Sequence, residues 1–225
     1  MKLTMVAVLA VTPLLAKLSE PVQRLDEATA VFSEIMAAPD NGIPQELLEN
    51  AHCIVIVPDL KTGAFFFGAK YGKGYLLCRN QGNRGWSAPA TVRIEGGSVG
   101  FQIGGSSTDL IMLVMNARGA EKLLESKFTL GAEGSVAAGS VGRTATAQTD
   151  AQMNADILSW SRTQGLFAGL ALEGATLRQD LDDNTTLYGK KLENRYIVTK
   201  GVHPPRSAAK LIDLLNRYSF RERKD

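Results

Sequence analysis

Cysteine and histidine are both scarce in this chain of 225 residues, which has two of each. No C-x-x-C or Cys/His cluster is present, so a structural zinc site is excluded. His52 and His203 lie too far apart in sequence to form a local metal pair. His52 abuts an apolar strand pattern and reads as a hydrogen-bonded histidine near the core. Cys53 and Cys78 leave two outcomes open: a disulfide in an exported chain, or two buried free thiols. Net charge is only +2 and aromatic content 7%. No basic stripe interleaves with aromatics, which excludes nucleic-acid binding. After residue 16, no apolar run is long enough to cross a bilayer.

The charge is unevenly spread. Residues 20–60 carry one base against eight acids, whereas residues 61–127 and 191–225 each carry nine bases against four acids. Folding could gather the two basic segments on one face; otherwise they are solvated surface. Glycine is concentrated, with 16 of the 22 between Gly63 and Gly142. Mixed with β-branched and aromatic residues, that density predicts bent strands and tight turns.

Lys2 precedes an apolar stretch, Leu3 to Ala16, of the length of a signal-peptide core. Residues 1–16 are therefore expected to be a signal peptide. No cysteine follows, so the address is periplasmic or secreted and not that of a lipoprotein. The alternative is an ordinary N-terminal helix.

Helical spacing runs from Pro21 to Met36, with Val22, Leu25, Ala28, Val31, Phe32 and Ile35 on one side, and a short helix is expected over 44–50. Ile54 to Val57 reads as a buried strand closed by Pro58-Asp59. Strands are expected over 64–70 and 74–79 around a Tyr71-Gly72-Lys73 turn. Thr91 to Glu95 alternates, with Val92 and Ile94 inward and Thr91, Arg93 and Glu95 outward. Ser98 to Gly104 repeats the pattern, and the apolar run Leu110 to Met115 predicts a central strand. A helix over 117–126 precedes further strands within 127–143 and 157–178. Helices are expected over 182–192 and 205–218. The whole predicts one α+β domain over 17–225: a curved, mostly antiparallel, glycine-rich sheet with helices at both ends of the chain.

Catalytic signatures are weak. Gly96-Gly97-Ser98-Val99-Gly100 matches G-x-S-x-G, with Asp180 or Asp182 and His203 following in hydrolase order. A nucleophile elbow needs a helix after the turn, but Phe101-Gln102-Ile103 continues a strand pattern. Gly-Ser-Val also recurs at 134–136 and 139–141. A serine hydrolase acting through Ser98 thus stands third among the readings. Gly68 to Lys73 lacks the spacing and the Ser or Thr of a phosphate loop. Asp182-Asp183-Asn184 serves as a helix cap and not a calcium loop. No catalytic residue, metal or cofactor is assigned.

Three stretches carry a resemblance: AHCIVIVPDLKTGAFFF (51–67), WSAPATVRIEGGSVGFQIGGSSTDLIMLVMN (86–116) and, most specific, SKFTLGAEGSVAAGSVGR (126–143). With the leading helix from Arg24 and the segment through Tyr188-Gly189, they resemble the SYLF domain, strongest over 24–190. This is a lipid- and actin-binding domain that eukaryotes fuse to Src-homology-3 or FYVE modules and that bacteria use alone. The resemblance implies a non-enzymatic module recognising anionic phospholipid headgroups, phosphoinositide-like in the eukaryotic members. Actin binding is implied by family only and does not suit a bacterium. The expected contacts are Lys61, Lys70, Lys73, Arg79 and Arg84 in the glycine-rich hairpins, Trp86 at the membrane interface, and Lys127 and Arg143 at the ends of the third stretch. Phe65 to Phe67 read as core. One departure is plain. Some eukaryotic relatives place a basic N-terminal helix on membranes, but here that helix carries Glu20, Asp26, Glu27 and Glu34 against Arg24 alone, and anionic lipid repels it. The runner-up is a structural or protein-interaction domain of the envelope without a lipid ligand.

Overall fold

The computed structural model describes residues 19–38, 42–65, 67–80, 85–99, 104–138, 155–163, 166–167 and 172–219. The proposed signal peptide, Arg84, Arg143 and the strand expectations within 100–103, 139–154 and 168–171 lie outside them. Helix α1 (Glu20–Ala37) starts with Pro21 in its first turn, where a missing N–H costs nothing. Its buried stripe of Leu25, Ala28, Val31, Phe32 and Ile35 follows the helical repeat. A short α2 (Gln45–Asn50) follows.

Nine strands then form one sheet: β1 (Cys53–Phe65), β2 (Phe67–Cys78), β3 (Ala90–Val99), β4 (Gly104–Val114), β5 (Lys127–Thr129), β6 (Val136–Ala138), β7 (Ile157–Thr163), β8 (Leu166–Phe167) and β9 (Thr176–Gln179). Their order is β5-β9-β3-β2-β1-β4-β7-β6, with β8 paired to β7. Among the described residues, β6–β7 is the one parallel strand pair.

Two expectations about β1 and β2 are corrected. Pro58-Asp59 does not end β1; the pairing shifts there and the strand resumes at Leu60. Asp59 takes φ +56°, a left-handed conformation that Asp tolerates in a bulge. Nor is Tyr71-Gly72-Lys73 a turn, because β2 runs through it in unbroken register with β3. Close approach accounts for the glycine at 74: a Cβ there would stand 2.1 Å from the Ile56 carbonyl oxygen, against the bulge.

The sheet is curled. β5 and β6 are its two outermost strands yet neighbours in sequence, and Leu130 bridges to Gly134 between them. Gly131 N–H donates to the Gly134 carbonyl at 2.9 Å. A Cβ on Gly134 would lie 2.6 Å from the buried Phe128 ring, so this turn of the third signature stretch needs its glycine. The sheet is thus a curled half-barrel.

Apolar side chains cover both faces of the central strands, which is why they read as continuous hydrophobic runs. The inner core holds Val55, Leu76, Val92, Ile94, Met112, Phe128 and Leu177. Helices α3 (Ala117–Leu123) and α5 (Asn194–Thr199) add Leu123, Ile197 and Val198 to it. The outer core joins Ile54, Ile56, Tyr75, Leu77, Ile111 and Trp160 to α1, α2 and the C-terminal helix α6 (Ala209–Tyr218). Helix α4 (Leu181–Tyr188) is capped by Asp180, whose side chain accepts from Asp183 N–H. It ends at Gly189, short of the expected 192, and α5 was not foreseen. Cys53 and Cys78 stand opposite each other on β1 and β2 and form a disulfide. His52 is exposed, not near-core, because it precedes the strand instead of entering it.

Candidate anion-binding surface

Strand alternation decides which side chains face outward on β5, β9, β3 and β2. Phe128, Leu177, Val92 and Ile94 turn into the inner core. Their chain neighbours Lys127, Arg178 and Arg93 therefore turn out, and Lys73, paired with Arg93, shares that face. The register places these four directly opposite one another on consecutive strands: Lys127 against Arg178, Arg178 against Arg93, Arg93 against Lys73. Facing side chains in such pairs have Cβ atoms about 5 Å apart, and like charges there are destabilising. A sheet shaped for stability alone would alternate the signs.

One end of this row is neutralised inside the protein. Lys73 Nζ lies 2.9 Å from Asp180 and 3.2 Å from Asp183, and Arg24 reaches Asp183 at 2.6 Å. This cluster ties α1, β2 and α4 together. Burial pulls the Lys73 pKa down, but the hydrogen bonds to Asp180 and Asp183 outweigh it and leave it raised. Burial likewise pushes Asp180 up, and Lys73 brings it below the ordinary carboxylate value. The other end is open. The side chains of Arg93 and Arg178 keep 35% and 40% exposure, and Lys127 is exposed. Glu95 serves both arginines, at 2.8 Å from Arg93 and 3.7 Å from Arg178. Arg93 also lies within electrostatic reach of Asp180, and Lys127 within reach of Glu133, so the open end is cationic but partly compensated.

The residues expected to meet phosphate do not assemble as one cluster. Lys61 is exposed on β1, 3.5 Å from Asp59. Lys70 turns to the opposite sheet face from Lys73; it is buried beside Thr62 and Gly96, and burial lowers its pKa. The Arg79 guanidinium donates to the Leu48 and Ser219 carbonyls at 3.1 Å each, and lies 4.2 Å over the Trp86 ring. Trp86 is buried, with its indole N–H donating to Ser219 at 2.8 Å. A membrane-interface role for Trp86 is corrected accordingly: α6 covers it. Lys127 lies on the open row. Arg93, Arg178 and Glu95 were not singled out as site residues, although strand alternation alone placed Arg93 and Glu95 outward.

Ser98 lies inside β3, paired with Gly68. The strand-turn-helix elbow that a nucleophile requires is not formed there. Asp180 is committed to capping and to Lys73. Among the described residues, no three His, Cys, Asp or Glu side chains gather as a metal site, and no helix is long and apolar enough to cross a membrane.

Comparison with known proteins gives the family. A family model described as Ysc84, Las17-binding protein actin regulator, matches residues 95–218. The SH3 domain-containing protein PJ696.02 of Schizosaccharomyces pombe is 36% identical over 182 residues, covering 79% of this chain and 42% of that protein. SH3 domain-containing YSC84-like protein 1 of Xenopus laevis is 30% identical over 197 residues, covering 87% and 58%. LAS seventeen-binding protein 3 of Saccharomyces cerevisiae is 30% identical over 188 residues, covering 82% and 40%. The chain thus spans between about two fifths and three fifths of the length of these relatives. With the third signature stretch joining the two outermost strands of the curled sheet and the family model spanning more than half of the chain, the protein belongs to the Ysc84 family of SYLF domains.

Proposed function

We propose that this chain is a non-enzymatic module, exported to the periplasm or beyond, that docks on anionic phospholipid headgroups at an envelope membrane surface. The observation that carries the reading is the open row of Arg93, Arg178 and Lys127, in register on three adjacent strands. A cation near an anionic bilayer contributes about 1 kcal/mol, so three on one face can hold a protein at a surface where one cannot. The row differs from an inserted helix: it lies on a rigid sheet, and α1 carries acidic side chains. Recognition is thus of surface charge, without deep insertion.

The test is co-sedimentation of the chain with vesicles of neutral or anionic phospholipid, at low and high salt. Binding that needs anionic lipid and weakens with salt is expected. The Arg93→Glu, Arg178→Glu, Lys127→Glu triple variant should lose roughly a hundredfold in affinity, from three contributions of that size. A parent chain indifferent to anionic lipid, or a variant that binds like the parent, overturns the reading.

A second reading is docking on an acidic protein surface. It is favoured by relatives whose names describe Las17 binding and actin regulation. It predicts the same loss in the triple variant with the protein partner and none with vesicles.

A further inference from the structure

A cleft of about 750 Å³ opens at the other end of the strands, where β1 begins and β2 finishes. It shares no residue with the cationic row. One wall is apolar: Ala120 of α3, Leu124 just beyond it, and Val198 of α5. The Cys53–Cys78 disulfide lies between this wall and a polar one. The polar wall is made by His52, Arg79, Asn80, Thr199 and Lys200. Among the described residues, no carboxylate lines the cleft. Lys200 is exposed at the end of α5, and among the described residues it makes no ion pair.

We propose that this cleft binds a single amphipathic anion: a medium-length alkyl or compact apolar body ending in one carboxylate or phosphate. The volume falls within the ordinary range of small-molecule sites, about 300–1,000 Å³. The apolar wall and the polarisable sulfurs suit hydrocarbon. The positive charge of Lys200, unopposed by any acid in the lining, selects the head. A purely polar anion leaves the apolar wall uncovered, and a neutral amphiphile gains nothing from Lys200. The Arg79 side chain is fixed by carbonyls and by Trp86, so it shapes the wall without reaching for the ligand.

The experiment is calorimetric titration of the intact, oxidised chain with decyl phosphate, decanoate, decyl maltoside or inorganic phosphate, each surfactant below its micelle concentration. Stoichiometric binding of decyl phosphate, decanoate or both is expected, and the ranking of the two tells phosphate from carboxylate recognition. Lys200→Glu should weaken the charged amphiphiles by about tenfold or more, the worth of a charge-assisted contact, and leave decyl maltoside unchanged. Ala120→Trp should fill the cleft and abolish binding. If that variant does not fold, exposed Lys200→Glu still decides the matter. The Arg93, Arg178, Lys127 triple variant should bind decyl phosphate like the parent, which separates this site from the vesicle-docking surface. Failure of both charged amphiphiles to bind, equal affinity in Lys200→Glu, or equally tight inorganic phosphate overturns the proposal.

Discussion

Arg93 and Arg178 stand directly opposite each other on β3 and β9, and a single carboxylate, Glu95, serves both. Glu95 itself lies one row along the sheet, paired with Thr176 and Tyr71. It competes with any incoming anion for the two guanidinium groups. Removing its charge should free them: Glu95→Gln is predicted to tighten binding to anionic vesicles several-fold while its melting temperature shifts little, since exposed ion pairs contribute about 1 kcal/mol or less. Vesicle affinity that falls in Glu95→Gln would count against the open row as the docking face.

Asn184 is a fully buried side chain whose amide is hydrogen-bonded at both ends. Its carbonyl oxygen lies 2.8 Å from both Thr91 N and Thr91 Oγ1, and its amide donates to the Leu192 carbonyl at 2.9 Å and to Asn194 at 2.7 Å. Asn184→Leu removes the partner of Thr91 N–H, the Leu192 carbonyl and the Asn194 side-chain oxygen, while Thr91 Oγ1 keeps its bond to the Asp180 carbonyl. A loss of about 3 kcal/mol or more in urea denaturation is expected.

Asp156 fixes the β4–α3 corner to β6. Asn116 donates to it at 2.8 Å, Arg118 lies at 3.3 Å, and Ser135 N–H donates at 3.1 Å. The Asn116 bond first, then Ser135 and Arg118, outweigh burial and hold its pKa at about 2, below the ordinary 3.8. A depressed carboxylate stabilises the fold fully above its unfolded value and loses that contribution as pH falls toward the folded one. Roughly 2 kcal/mol should therefore disappear between about pH 4 and pH 2. In Asp156→Asn, denaturation midpoints across that window should lose this part of their slope.

The disulfide closes a loop with a sequence separation of 25. Chain-entropy reasoning gives it about 3 kcal/mol. The Cys53→Ala, Cys78→Ala double variant should melt lower than the oxidised parent by a margin of that order, and adding reductant to the parent should reproduce most of the drop. No change on reduction would mean that the sheet alone holds the pair together.

Much of this was legible in the sequence, and the failures share a cause. Leu25, Phe32 and Ile35 declared α1 by their spacing, and Val92 and Ile94 declared the inner face of β3. Chain-local patterns of that kind survive because neighbouring side chains decide them. Gly72 was read as a turn residue and Gly74 as the start of a new strand; both admit the β1 bulge, contributed by residues a dozen or more positions away. Trp86 looked available to a membrane because α6, which buries it, arrives 133 residues later through Ser219. The cationic row was hidden for the same reason. Lys127, Arg178 and Arg93 become neighbours only through strand order, and no window along the chain contains all of them.

The turn between Leu130 and Gly134 has a bearing on association. An open sheet ends in two unpaired margins, each a template for a strand from another molecule. Here the two outermost strands, β5 and β6, follow each other in the chain and are joined by residues 130–135, where Leu130 bridges to Gly134. A strand added at either margin would have to be accommodated beside that short connection, which ties the freedom of one edge to that of the other.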